Sequence, residues 1–399
     1  MTEHLADRTH RSARLTASLA LTLLGAGLLA ACGQGVGAAG AGSAGTPTAV
    51  VTPNGAATAT SPANANPPKT IRVDLGSLTT GPAPTIAYLV TVDQRTRLVS
   101  PSGFTAERDK AIIVPVGPQG ALALLDNEGS GFGPLVAIGQ TPWAGASTIS
   151  TAATIPVVDA AGRVAFWRST AKGGVFEQRS GSTGASLASV ATEATATGVV
   201  YEAKAQLGDG VVLADRLSES GGEGWGKSEG VRVTADGRLT ELAGMSSVLA
   251  ASEASGLYAG TTANGATAAA STATASTRTK PHCSEVRRAA DDRTVWSSCH
   301  LIPMTFSADG RYLAALPKDF DGVRASQVTV IDTATWRPVL IVASVVGSVG
   351  FEPGGALLTA VAADTPGASG IVRCTVSGAC ELAQTVDRGR AAGYAIRAS

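Results

Sequence analysis

The chain has 399 residues, with 31 basic and 31 acidic side chains and a formal net charge of +0. That balance argues against a nucleic-acid binder, which carries a basic excess. Only 4% of residues are aromatic while Gly numbers 48, which suits many short strands and tight turns better than long helices.

The N-terminal region reads as an export signal. Arg8, Arg11 and Arg14 precede an apolar run from Leu15 to Ala31, and Cys32 follows. A positive start and an apolar stretch of this kind mark residues 1–31 as a secretory signal. The run is short for a full membrane span of about 20 residues. Its end, Leu29-Ala30-Ala31-Cys32, resembles the lipobox of bacterial lipoproteins. That resemblance implies that Cys32 becomes the mature N-terminus and carries a thioether-linked diacylglycerol. Two or more acyl chains, such as palmitate, on one residue anchor stably where one does not. The competing reading is an uncleaved anchor with a chance Cys. Residues 32–69 are rich in Gly, Ala, Thr, Ser and Pro and almost uncharged. They read as a disordered tether that holds residues 70–399 off the membrane.

The cysteines fit that location. Of 5 cysteines, lipidation of Cys32 leaves an even set: Cys283, Cys299, Cys374 and Cys380. Pairing of neighbours is the simplest of three connectivities. A metal site is the rival, opposed by the spacing, since only His282 and His300 lie nearby.

Residues 70–399 carry a repeat. In Met304–Leu316 an apolar run reaches Asp309-Gly310 and leaves as another apolar run, a hairpin signal. Copies begin at Gly120, Gly162, Gly210, Gly256, Gly310 and Gly355, in steps of 42, 48, 46, 54 and 45 residues. A further copy, Thr85–Val90, lacks a clean Gly. A period of about 40–50 residues with several strands per unit predicts an all-β propeller, here seven-bladed with four-stranded blades. In the sixth unit the predicted strands are Ile302–Ser307, Arg311–Leu316, Gln327–Ile331 and Arg337–Val342. In the seventh they are Val345–Phe351, Ala356–Ala362, Gly370–Thr375 and Cys380–Gln384. Either Ile71–Leu75 or Tyr394–Arg397 is expected to complete the first blade and remove an exposed edge.

Val328–Thr335 resembles the third strand and turn of YVTN-type and WD40-type propellers, and Phe306–Arg311 resembles the first turn of WD40-type blades. The Trp-Asp dipeptide is absent. The resemblance implies architecture and no ligand. In this register both cysteine pairs bracket third-to-fourth strand hairpins.

Long segments fall between second and third strands: Asp215–Glu229, Thr261–His282 and Pro317–Ser326. In a propeller such loops share one rim, and loops on a rigid scaffold usually carry binding. Tolerated loop growth is the plainer reading. The candidate contacts are Trp225, Lys227, Arg288, Lys318 and Phe320. Gly221–Ser228 matches the P-loop pattern, yet the residues after it read as strand and turn, where phosphate binding needs a helix. Ser169-Thr170-Ala171-Lys172 fits S-x-x-K, but its usual partner motifs are missing. Asp319–Gly322 lacks the further acidic ligands of a calcium loop. The basic segment from Arg278 to Arg293 reads as a solvated hairpin, or as a contact for anionic lipid or cell-wall polymer.

The function read here is a lipid-anchored, extracytoplasmic lipoprotein acting as a non-enzymatic binding or scaffolding module. It is expected to be a monomer, with an envelope protein or polymer as partner and no nucleic acid. Neither a cofactor nor a metal is called for. The alternatives are a propeller-type hydrolase of sugars or lactones, or an envelope sensor.

Overall fold

The computed structural model describes residues 67–92, 95–109, 111–116, 119–125, 132–139, 149–159, 161–170, 173–192, 199–208, 210–219, 225–262, 283–319, 324–362, 369–384 and 392–396. The signal segment, Cys32 and most of the tether lie outside them. Among the described residues every regular element is a strand.

The chain opens with β1 (Lys69–Arg72). Next come β2 (Tyr88–Val92), β3 (Arg95–Val99) and β4 (Thr105–Asp109), then β5 (Ala111–Pro115), β6 (Gly120–Leu125), β7 (Phe132–Gly139) and β8 (Ser150–Thr154). β9 (Val157–Val158), β10 (Arg163–Thr170), β11 (Gly173–Ser180) and β12 (Ser186–Thr192) follow. Two separate four-stranded sheets come after them. One is β13 (Val199–Gln206), β14 (Val212–Glu219), β15 (Trp225–Val233) and β16 (Leu239–Glu241). The other is β17 (Met245–Ser252), β18 (Leu257–Thr262), β19 (Cys283–Arg288) and β20 (Thr294–Ser298). The last group is β21 (Leu301–Phe306), β22 (Tyr312–Pro317), β23 (Ala325–Asp332), β24 (Arg337–Phe351), β25 (Leu357–Ala362), β26 (Ser369–Cys374), β27 (Cys380–Gln384) and β28 (Ala392–Ile396).

Within each sheet, sequential strands pair antiparallel as meanders. The first strands of successive meanders touch in order, β13 with β17, β17 with β21, β21 with β24 and β24 with β28. β28 then pairs antiparallel with β2 across Tyr88–Val92, which closes the ring. The arrangement is a β-propeller. Of the two closing strands expected from sequence, the C-terminal one takes that place. The Ile71 strand instead lies parallel on the outside of β24, Lys69 opposite Leu340 and Arg72 opposite Ala343.

Second strands sit in the middle of each sheet and are covered on both faces. They therefore read as apolar runs without alternation. Gly120–Leu124, Arg163–Trp167, Tyr312–Leu316 and Leu357–Val361 are buried throughout. Neighbouring meanders share cores: Trp167 and Phe176 of one pack with Tyr201, Val212 and Val231 of the next.

The repeated glycines hold the first-to-second turns. Gly162, Gly210, Gly256, Gly310 and Gly355 all take positive φ, between +61° and +80°, where a side chain is disfavoured. At Gly310 the space is also closed, since an added Cβ would lie 2.6 Å from the Ser255 Cβ. In that turn Gly310 N donates to the Ser307 carbonyl at 2.8 Å. The Ser307 hydroxyl donates to Asp309 at 2.6 Å, and that bond chiefly holds the Asp309 carboxyl below its ordinary range.

Two boundaries differ from expectation. β24 runs unbroken from Arg337 to Phe351, serving one meander with its first half and the next with its second. β14 and β15 extend through Glu219 and back from Trp225, so the segment read as a loop from Asp215 to Glu229 is mostly strand. Pairing between the two strands satisfies the backbone there.

Residues 69–85 then belt the outer edges. Past β1, Gly81 N donates to the Leu382 carbonyl and Leu382 N to the Thr79 carbonyl, both at 2.9 Å. These contacts cover the free edges of β24 and β27, which otherwise would offer unpaired backbone groups.

Candidate functional site

Strand polarity assigns the sequence-derived contact residues to two ends of the ring. First-to-second and third-to-fourth turns emerge at one end, second-to-third connections at the other. Trp225 and Lys227 start β15, paired opposite Glu219 and Ser218, so they belong to the connection end. They are strand residues rather than loop residues. Lys318 follows β22 at the same end, its backbone N donating to the His300 carbonyl at 2.8 Å. Phe320 lies outside the described residues, as do 220–224 and 263–282, and with them His282.

Arg288 belongs to the opposite end, which corrects its assignment to the connection rim. β19 enters at Cys283 and leaves at Arg288, which pairs with Leu257 just after the Gly256 turn. Six residues of strand carry it across the sheet. There it faces Asp291 at 3.3 Å on the surface. The basic segment is likewise not all solvated. Arg287 is buried, donating to Glu285 at 3.0 Å and to the Ala243 carbonyl at 2.8 Å. The P-loop-like match continues as strand from Trp225, without the helix that phosphate binding requires.

Both cysteine pairs join as neighbours, Cys283 with Cys299 and Cys374 with Cys380. The first ties the open ends of the β19–β20 hairpin on the connection side. The second closes the tight β26–β27 turn at the other end, where Thr375 N donates to Ala379 O at 2.9 Å.

The most chemically distinctive place lies on the inner strands. Of β5, β9, β13, β17, β21, the second half of β24 and β28, only β13 carries charged residues, Glu202 and Lys204. Val199–Gln206 alternates, so Tyr201 and Ala203 are buried on one face while Glu202 and Lys204 share the other. Asp215 of β14 stands opposite Glu202 in register and joins that face, only 3% exposed. The Lys204 ammonium is 2.7 Å from Glu202 and 3.8 Å from Asp215. Across the gap to the next meander, Ser247 Oγ donates to Asp215 at 2.6 Å and Val248 N at 2.8 Å. Burial pushes the Asp215 carboxyl up to about 6, against the opposing pull of Lys204 and the Ser247 and Val248 bonds.

A proton taken up by Asp215 removes one negative charge from the cluster. Ser247 spends its proton on Asp215, and Asp215 spends its other oxygen on the β17 backbone. The arrangement therefore pins two meanders together at a charge-sensitive point. Sequence reading passed over these residues. The signal was present in the strict alternation Tyr201-Glu202-Ala203-Lys204, which places two charges on one face of an inner strand. Among the described residues no group of three or more His, Cys, Asp or Glu side chains is placed to hold a metal ion.

No family model matches the chain, and no curated protein matches it. Solved structures resemble it at a distance. TolB from Acinetobacter baumannii is 11% identical, with a TM-score of 0.41, covering 78% of this chain and 83% of its own. The Dos1 propeller is 9% identical, with a TM-score of 0.43, over 79% and 88%. Apo AztD from Citrobacter koseri is 9% identical, with a TM-score of 0.41, over 77% and 97%. Likeness at this level speaks to no activity.

Proposed function

We propose that the chain is a lipid-anchored extracytoplasmic lipoprotein whose propeller serves as a non-enzymatic binding or scaffolding module. Its strands group as seven blades of four: β28 with β2–β4, β5–β8, β9–β12, β13–β16, β17–β20, β21 to the first half of β24, and the second half of β24 to β27. The lipobox-like Cys32 supplies the anchor, and the tether gives reach to an envelope protein or polymer.

The observation that carries this reading is the pair of closed disulfides, Cys283–Cys299 and Cys374–Cys380. Such bonds persist in oxidising compartments and not in the cytosol, which agrees with an exported chain. A ring of short turns with its longer connections at one end then favours recognition at that end. The alternatives are a sugar or lactone hydrolase or an envelope sensor. The Ser247–Asp215 contact does not favour a hydrolase, because both Asp215 oxygens are committed to holding β17.

The test is recovery of partners from detergent-solubilised membranes by the intact protein and by Trp225→Ala combined with Phe320→Ala. A partner captured by the first and lost by the second supports a binding face at the connection end. Identical partner sets would sink it.

A further inference from the structure

The cluster on β13, β14 and β17 brings an amine, a buried carboxyl and a second carboxylate within reach of one another, which is the set that amide formation needs. Lys204 is the extra residue of a bulge in β13: Ala203 pairs with Ala214 and Ala205 with Leu213, which leaves Lys204 without a partner on β14. Bulges re-aim side chains and are over-represented beside active sites. This one serves the face that carries Glu202 and Asp215. The Lys204 side chain is only 13% exposed and that of Asp215 only 4%. Three other buried ion pairs, Asp159 with Arg163, Glu285 with Arg287 and Glu352 with Arg373, all use Arg. A guanidinium stays charged, whereas a lysine amine that has given up a proton is a nucleophile.

The acid is prepared from the other side. β17 is bulged between Met245 and Ser247 and again between Val248 and Ala250. The segment between the bulges points two donors at Asp215. The Ser247 hydroxyl reaches Oδ2 at 2.6 Å and the Val248 N–H reaches Oδ1 at 2.8 Å. Two donors on one carboxyl draw charge from its carbon, and they are placed for the oxyanion that forms when that carbon is attacked. Burial raises this carboxyl to about 6, and the neutral acid is the form that accepts a nucleophile. Lys204 Nζ stands 3.8 Å from Asp215 Oδ2 and 2.7 Å from the Glu202 carboxylate. The proton that the amine must lose therefore has an acceptor in contact with it.

We infer that Lys204 and Asp215 condense after folding into an amide cross-link between β13 and β14, with Glu202 as proton acceptor. Lys204 passes one ammonium proton to Glu202. Nζ then attacks the Asp215 carboxyl carbon, forming the C–N bond and an oxyanion at Oδ1 that faces the Val248 N–H. The nitrogen loses a second proton to solvent. Glu202 returns its proton to the Oδ2 hydroxyl, the C–Oδ2 bond breaks, and water leaves beside Ser247. The products are one amide and one water, with Glu202 restored and no change of oxidation state. Held geometry drives the step, since effective molarities for well-oriented intramolecular reactions reach about 10⁵ M or more. The freshly folded chain is the open form, with the ion pair intact, and Asp215 titrates only in that form. The bond requires no partner of the ring and stands apart from the binding-module reading.

The experiment follows the full-length protein in detergent, incubated at about pH 6, by the masses of its tryptic peptides. In the open chain trypsin cuts after Lys204 and gives peptides 180–204 and 205–216. The amide blocks that cut, so the closed chain gives 180–216 as one peptide, lighter by one water. The expected result is that the joined peptide accumulates with time, at least tenfold more slowly in Glu202→Gln, and never forms in Lys204→Arg. The two separate peptides at full mass, however long the incubation, would overturn the proposal. So would loss of water from 205–216 with the cut after Lys204 retained, which marks a cyclic imide at Asp215. An unchanged rate in Glu202→Gln, with the variant folded by circular dichroism, would overturn the role given to Glu202.

Discussion

Glu352 and Asp215 are both buried carboxylates that hold parts of the ring together, and their partners carry them to opposite outcomes. Glu352, 6% exposed, receives Arg373 through two bonds, at 2.6 Å and 2.8 Å, and Thr85 N at 2.8 Å. Burial alone would raise it, but the bonds from Arg373 and Thr85 together outweigh that and hold it below its ordinary range. Arg373 is held strongly protonated in turn, chiefly by Glu352. Its remaining N–H groups reach Glu381 at 2.6 Å and the Pro82 and Ala83 carbonyls at 3.0 Å. All five guanidinium donors are thus used. Asp215 has only an ammonium 3.8 Å away and two neutral donors, and desolvation wins. The difference teaches that a buried acid is set by the geometry of its cation: a bidentate fork compensates for lost water, and a distant point charge does not.

The largest expected effect comes from removing the fork. Arg373→Met leaves Glu352 buried and uncompensated and frees the 79–85 belt. Denaturant unfolding should show a loss of about 3–5 kcal/mol. Arg373→Lys should restore only part of it, because an ammonium cannot replace five planar donors. Full recovery by Lys would contradict the role given to the fork.

The two acids should also have opposite pH signatures. Glu352, lowered in the fold, contributes stability present above its ordinary value of 4.5 and lost as pH falls through its lowered value. Asp215, raised to about 6 from an ordinary 3.8, contributes stability present below 3.8 and lost as pH rises through about 6. That gap corresponds to about 3 kcal/mol. Asn keeps one oxygen to accept from Val248 N, turns its amide N–H groups toward the Ser247 hydroxyl as donors, and does not titrate. Between pH 4 and pH 7, Asp215→Asn should therefore gain on the natural protein by up to about 3 kcal/mol. A stability difference independent of pH would refute the raised carboxyl.

The disulfides give a graded effect on the same scale. In the chain-entropy model, replacing Cys283 and Cys299 by Ser opens a loop of 16 residues and should cost about 3 kcal/mol. Replacing Cys374 and Cys380 opens one of 6 residues and should cost about 2 kcal/mol. The smallest change is expected at Trp336. Trp336 takes φ 55° and stacks on Trp296. Glycine there relieves about 1–2 kcal/mol of left-handed strain, and gives up about 0.5–1.5 kcal/mol of ring contact together with the burial of the partly buried indole. Thermal unfolding of Trp336→Gly should fall only slightly below that of the natural protein. A large loss would make the indole a structural plug.

The repeat was legible because one physical requirement recurs: a residue free of Cβ where the turn needs positive φ, as at Gly162, Gly256 and Gly310. The cysteine pairing was legible for a similar reason, since each pair flanks one hairpin. Strand limits around Trp225 were obscured by Gly221–Gly226, whose composition suggests a loop while pairing with β14 extends the strand to Trp225. The place of Arg288 depended on counting strand reversals from the right border. The Arg373–Glu352 cluster joins residues more than twenty positions apart to a belt nearly three hundred residues away, and no local pattern marks such a meeting. Asp215 looked like a loop acid because nothing local indicates that β17 would supply its donors.

The most direct measurement for the account as a whole is mass spectrometry of the N-terminal peptide from the membrane fraction. An exported binding propeller held by a lipid predicts a chain beginning at Cys32 with a diacylglyceryl thioether, and release to the soluble fraction on Cys32→Ser. A chain still beginning at Met1, or an unmodified Cys32, would contradict it.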